Sequence, residues 1–258
     1  NGYKLSCGNG SQFDLAERNK IYDNYIVTAK PEQIKLIDLD DAEDEQLWFL
    51  GGSEPRGGFD YHGREHRLID MHSRHIDHEK SFLLRKDLLA RQSEDGKSLN
   101  IGFSAFHGAG RVAVPRILNE VGFSDIKKIK KLDQLDGMFP CFRSDPGKEQ
   151  QPDPGDPRAA EIAVNAFKEE YPGEFENTDI LIGTDPDADR CGVVIKVPEE
   201  QRQLYVGKDY VLLSADYAWA LLIWYRLNYE VENYGKVRDA EKKFIVQSHT
   251  TSDVIIRM

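Results

Sequence analysis

Between Leu99 and Gly183 the chain alternates short apolar runs with amphipathic ones, and this alternation constrains the fold more than any other feature. Leu99–Phe106 (LNIGFSAF) predicts a strand, and Arg111–Val121 predicts a helix with Val114, Ile117, Leu118 and Val121 on one face. Pro115 suits that helix only if it falls in the first turn, where its missing N–H is not needed. Ile126–Leu132 predicts a second, more exposed strand. Asp156-Pro157 reads as a helix start, an N-cap followed by a residue whose φ is already helical. The helix itself, Arg158–Tyr171, is amphipathic through Ile162, Ala163, Ala166 and Phe167. Thr178–Gly183 (TDILIG) predicts a short buried strand. Cys191–Val197 and Gln203–Leu213 predict strands around a turn at Pro198–Glu200. Ser214 caps a last helix to Asn228, with Leu221, Leu222 and Tyr225 inward. Strands alternating with helices give the α/β class: a mixed, mainly parallel sheet with helices on both faces.

The first third is less regular. Asp38–Glu45 (DLDDAEDE) is an acidic run, and Gly51-Gly52 with Pro55–Gly58 predicts a loop. Residues 64–92 are charge-rich and helical in part, with Leu83, Leu84, Leu88 and Leu89 spaced for one helix face. Residues 94–97 read as a linker.

Composition excludes several classes of function. The 258 residues suit one or two domains. Acidic residues outnumber basic ones by 45 to 34, leaving a net charge of −11. A pI of 5.2 argues against a nucleic-acid binder, which needs a basic face to neutralise phosphates. The apolar run Ala218–Tyr225, 8 residues, is too short to span a bilayer. Three scattered cysteines, Cys7, Cys141 and Cys191, make no disulfide framework and point to the reducing cytoplasm.

The chemistry concentrates in Gly183-Thr184-Asp185-Pro186-Asp187-Ala188-Asp189-Arg190. Three carboxylates at alternate positions follow directly on an apolar strand, and open α/β sheets bind ligands beyond the carboxyl ends of their strands. Asp185, Asp187 and Asp189 there turn hard oxygens toward one point, where like charges repel unless a cation neutralises them. Such donors select Mg²⁺, Ca²⁺ or Mn²⁺ over zinc. Arg190 next in line suits a phosphate held bidentately. The plain alternative is a solvated acidic turn. An EF-hand starting at Asp185 fails, because its sixth and twelfth positions hold Arg190 and Lys196 where Gly and Glu are required. A phosphatase of the haloacid-dehalogenase type, with Asp185 as nucleophile, is the enzyme-class rival. A divalent-cation-binding module without catalysis is the non-enzyme rival.

GTDPDADR resembles the metal loop of the α-D-phosphohexomutases, the phosphoglucomutase/phosphomannomutase superfamily. Phe106-His107-Gly108-Ala109-Gly110 followed by Val114-Pro115-Arg116 is similar to the opening of that family's second domain. Pro152–Pro157 matches its Pro-rich turn, with Asp156 in place of Asn and Arg158 where Glu is usual. Leu212–Asp216 resembles its L-T-G-D/N segment, with Ala215 in place of Gly, and Asn1-Gly2-Tyr3-Lys4 its NGxK segment. The resemblance implies three divisions: the end of a first domain over 1–95, a metal-binding second domain over 96–235, and the start of a third over 236–258. It implies an Mg²⁺-dependent intramolecular phosphotransferase, an isomerase of hexose phosphates in which a phosphoserine donates to the sugar phosphate and is regenerated from the bisphosphate. Asp185, Asp187 and Asp189 would hold Mg²⁺, and Arg190 would steady phosphate oxygens. Lys4 would move the proton of the sugar hydroxyl, with His107 and Gly108 on the substrate side. The family's Ser-His-Asn-Pro segment does not occur in these 258 residues. The chain therefore reads as a piece of a longer polypeptide, its own third and fourth domains being its missing partners, and as inactive alone.

Weaker signals remain. His62, His66, His72, His75 and His78 match no common zinc spacing and read as a solvated face. Trp219 and Trp224 read as core. Thr250-Thr251-Ser252 reads as a capping or phosphate-contacting turn.

Overall fold

The computed structural model describes residues 5–38, 41–42, 49–51, 59–61, 63–66, 68–94, 98–143, 147, 150–253, 255 and 257. Lys4, most of the acidic run, the Pro55–Gly58 loop and His62 lie outside the described residues. The chain divides into two compact units, 1–70 and 71–258.

The first unit holds short elements. Helix α1 (Leu15–Ile21) starts at Asp14, whose side chain accepts the Glu17 N–H. Strands β1 (Phe49–Gly51) and β4 (Leu68–Asp70) pair in parallel, and β2 (Phe59–Tyr61) pairs antiparallel with β3 (Arg64–His66).

The second unit opens with α2 (Met71–Ser81) and α3 (Lys86–Ala90). Leu83 and Leu84 fall in the break between them, where Arg85 takes a left-handed φ of 41°, so the four leucines do not share one helix face. Next come β5 (Ile101–Ser104), α4 (Gly110–Glu120), β6 (Ile126–Lys128), α5 (Lys130–Asp133) and α6 (Pro157–Glu170). Strands β7 (Ile180–Thr184), β8 (Cys191–Lys196) and β9 (Tyr210–Leu212) precede α7 (Ala215–Tyr234). The five-stranded sheet runs β6-β5-β7-β8-β9. Its β6-β5-β7 half is parallel, and from β7 onward it is antiparallel, so the α/β sheet is mixed.

The core forms where α6 crosses the sheet. Asp156 caps α6 by accepting the Arg158 N–H at 2.8 Å, with Pro157 at the first position, as the sequence predicts. Ala159, Ala160, Ala163, Ala166 and Phe167 are the helix's buried face. Phe167 lies over Gly102 of β5, where a Cβ would come within 2.9 Å of its ring. Burying such a ring contributes about 2–3 kcal/mol. All four residues of β5 are buried, so both faces of the sheet are covered there.

Several local expectations are corrected. Pro115 sits inside α4 rather than in its first turn. The strand expected over Ile126–Leu132 ends at Lys128 and yields to α5. Most of Gln203–Leu213 is a 3₁₀ helix (Glu199–Tyr205) and a turn, leaving only β9 as strand. Ser214 caps α7 as expected, but the helix runs on to Tyr234 and ends at Gly235 in the left-handed conformation. Trp219 and Trp224 are 60% and 52% exposed, and Leu221 and Leu222 are also exposed. α7 is apolar on every side along Ala218–Tyr225, so its spacing carries no phase to mark an inner face. Among the described residues no helix is long and apolar enough to cross a membrane.

Candidate metal centre

The acidic loop joins β7 to β8. Thr184 pairs with Cys191 at the end of the ladder, and Asp185–Arg190 form the turn between them. The loop closes on itself: the Asp185 N–H donates to the Arg190 carbonyl at 3.3 Å, and the Ala188 N–H to the Asp185 carbonyl at 3.0 Å. Ala188 takes φ 59°, a left-handed turn. One carboxylate oxygen each from Asp185, Asp187 and Asp189 lies within 4.8 Å of the others.

The three acids differ in setting. Asp185 is fully buried, while Asp187 and Asp189 are exposed. A buried carboxylate needs donors, and Arg190 supplies two. Its backbone N–H donates to Asp185 Oδ1 and its Nε to Oδ2, each at 2.9 Å. Burial alone would raise the Asp185 carboxyl, but the Arg190 backbone N–H and guanidinium outweigh it and hold Asp185 below the usual carboxylate range. Asp189 moves the other way. A hydrogen bond with Asp185 and the negative charge of Asp187 raise it. That split is the electrostatic strain a divalent cation relieves.

A second wall is the loop after β5. Phe106 and His107 take left-handed φ values of 46° and 62°, which turn the chain sharply beside the acidic loop. A Cβ on Gly108 would stand 2.5 Å from the Pro186 carbonyl oxygen and 2.7 Å from its carbon. Only glycine permits that approach, and it lets the Ala109 N–H donate to the Pro186 carbonyl at 2.8 Å. The His107 ring turns the other way. Its Nδ1 donates to the Gln134 carbonyl at 2.9 Å, and it packs edge-on against Phe139 and Phe142. Its Nε2 is buried with no hydrogen-bond partner among the described residues. His107 also lines a cavity of 440 Å³ with Lys131, Gln134 and Cys141.

The third wall is the Pro-rich turn. Pro154 is buried against Gly192 of β8, where a Cβ would lie 2.6 Å from the Pro154 carbonyl carbon. Asp153 Oδ2 accepts from Arg190 NH1 at 2.7 Å. The structure therefore gathers Asp185, Asp187, Asp189 and Arg190, and seats Gly108 against their loop. Asp153 was not singled out by the sequence, which offers no signal linking it to an arginine far downstream.

The residues present fit Mg²⁺ or Mn²⁺. The donors are all hard carboxylate oxygens, and each Asp185 oxygen, though engaged once by Arg190, keeps a further acceptor site. Among the described residues, this trio is the group of His, Cys, Asp or Glu side chains whose donor atoms converge. His72, His75 and His78 lie instead along α2, with His75 3.8 Å from Glu79.

Residues 74–198 match the family described as phosphoglucomutase/phosphomannomutase, alpha/beta/alpha domain II. Over 119 residues the chain is 28% identical to phosphoglucomutases from two strains of Staphylococcus epidermidis, covering 46% of this chain and 19% of each relative. The match thus spans about a fifth of the length of those relatives. A Thermus thermophilus crystal structure assigned as a phosphomannomutase is similar with a TM-score of 0.42 at 20% identity, over 63% of this chain and 30% of that one. Residues 74–198, which hold the β5–β7 core, the three-aspartate loop and Arg190, are thus similar to the second domain of the phosphoglucomutase/phosphomannomutase superfamily.

Proposed function

We propose that the chain provides the cation-binding domain of a sugar-phosphate mutase acting on glucose or mannose phosphates in the cytoplasm. The convergence of Asp185, Asp187 and Asp189 beside Arg190 carries the reading. In it, residues 1–95 belong to a first domain, 96–235 form the second, and 236–258 begin a third. Asp185, Asp187 and Asp189 hold Mg²⁺, which when bound offsets negative charge on the transferring phosphoryl group. The remaining work falls to the chain. Asp185, fixed by two donors from Arg190, presents its oxygens without reorganisation. Arg190 has NH2 free of hydrogen bonds among the described residues and steadies a phosphate oxygen with it. Gly108 bounds the substrate side by admitting a close approach of backbone, while His107, its ring buried against Phe139 and Phe142, serves that side only through the turn its backbone makes. Lys4 relays the proton of the attacking sugar hydroxyl to the departing serine oxygen, and in the return transfer relays the serine hydroxyl proton to the departing sugar oxygen. No Ser-His-Asn-Pro segment occurs in these 258 residues, so this reading assigns the phosphoryl-carrying serine to none of them.

The phosphatase alternative needs Asp185 as nucleophile. Its side chain is 1% exposed and both oxygens accept from Arg190, which suits a held ligand better than an in-line attacking group. Two measurements test the proposal. Titration calorimetry with Mn²⁺ should show one weak site on the chain, and the isolated chain should not convert glucose 1-phosphate. A chain that binds no divalent ion, or one that hydrolyses sugar phosphates through a fluoroberyllate-sensitive Asp185, refutes it.

A further inference from the structure

We infer that Asp153 is a positioning residue for the metal centre: by holding one edge of the Arg190 guanidinium it prevents that group from forking onto Asp185 and so keeps Asp185 available to a divalent cation. The inference rests on the cation-binding reading above. A guanidinium meets a carboxylate most favourably with two parallel N–H groups. Here Arg190 gives Asp185 only Nε from its side chain, at 2.9 Å. NH1 is drawn instead to Asp153 Oδ2 at 2.7 Å. Asp153 is itself held on a rigid turn. Its Oδ1 accepts the Gly155 N–H at 3.0 Å, and its carbonyl accepts the Asp156 N–H at 3.0 Å. Pro154, next in sequence, is buried against β8, and Asp156 caps α6. The turn is thus fastened to both the strand and the helix that frame the acidic loop. Without the Asp153 carboxylate, NH1 loses its partner, and the guanidinium is free to rotate about its Nε contact until a second N–H faces Asp185. Arg190 then competes with the cation for the one fully buried carboxylate of the trio.

The test is a double-mutant cycle on Mn²⁺ affinity, read by electron paramagnetic resonance of free Mn²⁺, using Asp153→Asn and Arg190→Gln in the whole chain. Asp153→Asn keeps the shape and the acceptor to Gly155 but removes the charge. The exposed ion pair it breaks sets the scale. Affinity should fall by up to about fivefold in the Arg190 background and by less than about twofold when Arg190 is already Gln. Asp153→Glu should recover part of the loss. In the metal-free chain the ¹⁵N resonance of Arg190 Nε should move on Asp153→Asn, a change that loss of stability alone does not produce. Equal losses in both backgrounds mean a general charge effect and overturn the positioning role, as does unchanged affinity or an unmoved Nε signal. Failure of the unsubstituted chain to bind Mn²⁺ overturns the cation-binding reading itself, and the inference with it.

Discussion

Gly108→Ala is the sharpest probe of how the metal loop is held. The added Cβ would stand 2.5 Å from the Pro186 carbonyl oxygen and 2.7 Å from its carbon, and both atoms are backbone. Nonbonded carbons settle near 3.5–4.0 Å, so the two loops must part by about 1 Å. That movement carries the Ala109 N–Pro186 O hydrogen bond, now 2.8 Å, beyond useful length. Overpacking of this kind costs about 1–3 kcal/mol and a lost backbone hydrogen bond about 1 kcal/mol, together about 2–4 kcal/mol. Urea unfolding followed by circular dichroism should show the midpoint falling by about 1–2 M for a slope near 2 kcal/mol/M. Mn²⁺ affinity should fall as well, because Pro186 stands between two of the three ligands. Gly137→Ala is the control, since a Cβ there meets nothing within 4 Å. If Gly108→Ala unfolds at the same urea concentration as Gly137→Ala and binds Mn²⁺ equally well, the close approach of the two loops is not what holds the site.

Two further outcomes follow from the geometry. Asp187→Ala should abolish Mn²⁺ binding; because Asp187 is exposed, the urea midpoint should shift by no more than about 0.5 kcal/mol equivalent. The Asp156 carboxyl is pulled from its ordinary 3.8 to about 2, first by the Arg158 guanidinium and then by the Arg158 backbone N–H. A folded-state value below the unfolded one means the unfolded chain binds more protons in that window. The cap's contribution is therefore full above about pH 4 and disappears as the pH falls toward 2. Asp156→Ala should cost about 1 kcal/mol at pH 7, and the difference between the two proteins in acid unfolding should vanish near pH 2.

What the sequence made readable was local. Asp156-Pro157 starts a helix because an N-cap acceptor and a fixed φ act within three residues, and the structure has both. The alternation from β5 to β7 survives because apolar runs of strand length bury themselves against an amphipathic helix. The trio of aspartates is legible for the same reason: alternate residues on one tight turn meet without help from elsewhere. What escaped was tertiary. Nothing in the run of residues says that Gly108 is glycine because Pro186 needs its space, or that Asp153 faces Arg190. Leu83 and Leu84 have helical spacing from Leu88 and Leu89, yet the left-handed Arg85 separates them. Gln203–Leu213 carries strand-forming residues, but only Tyr210–Leu212 finds a neighbour in β8. The apolar Ala218–Tyr225 run gives helix without direction, and its tryptophans end up facing outward.

The three carboxylates of the loop between β7 and β8 are held unequally. Asp185 is gripped by its own neighbour before any ion arrives, whereas Asp187 and Asp189 stand in solvent. An ion arriving there meets one ready arm and must recruit the other two from water. On the cation-binding reading such a guest would be held loosely and chosen more by its charge and its taste for oxygen than by a ready-made cage, so manganese should stand in for magnesium.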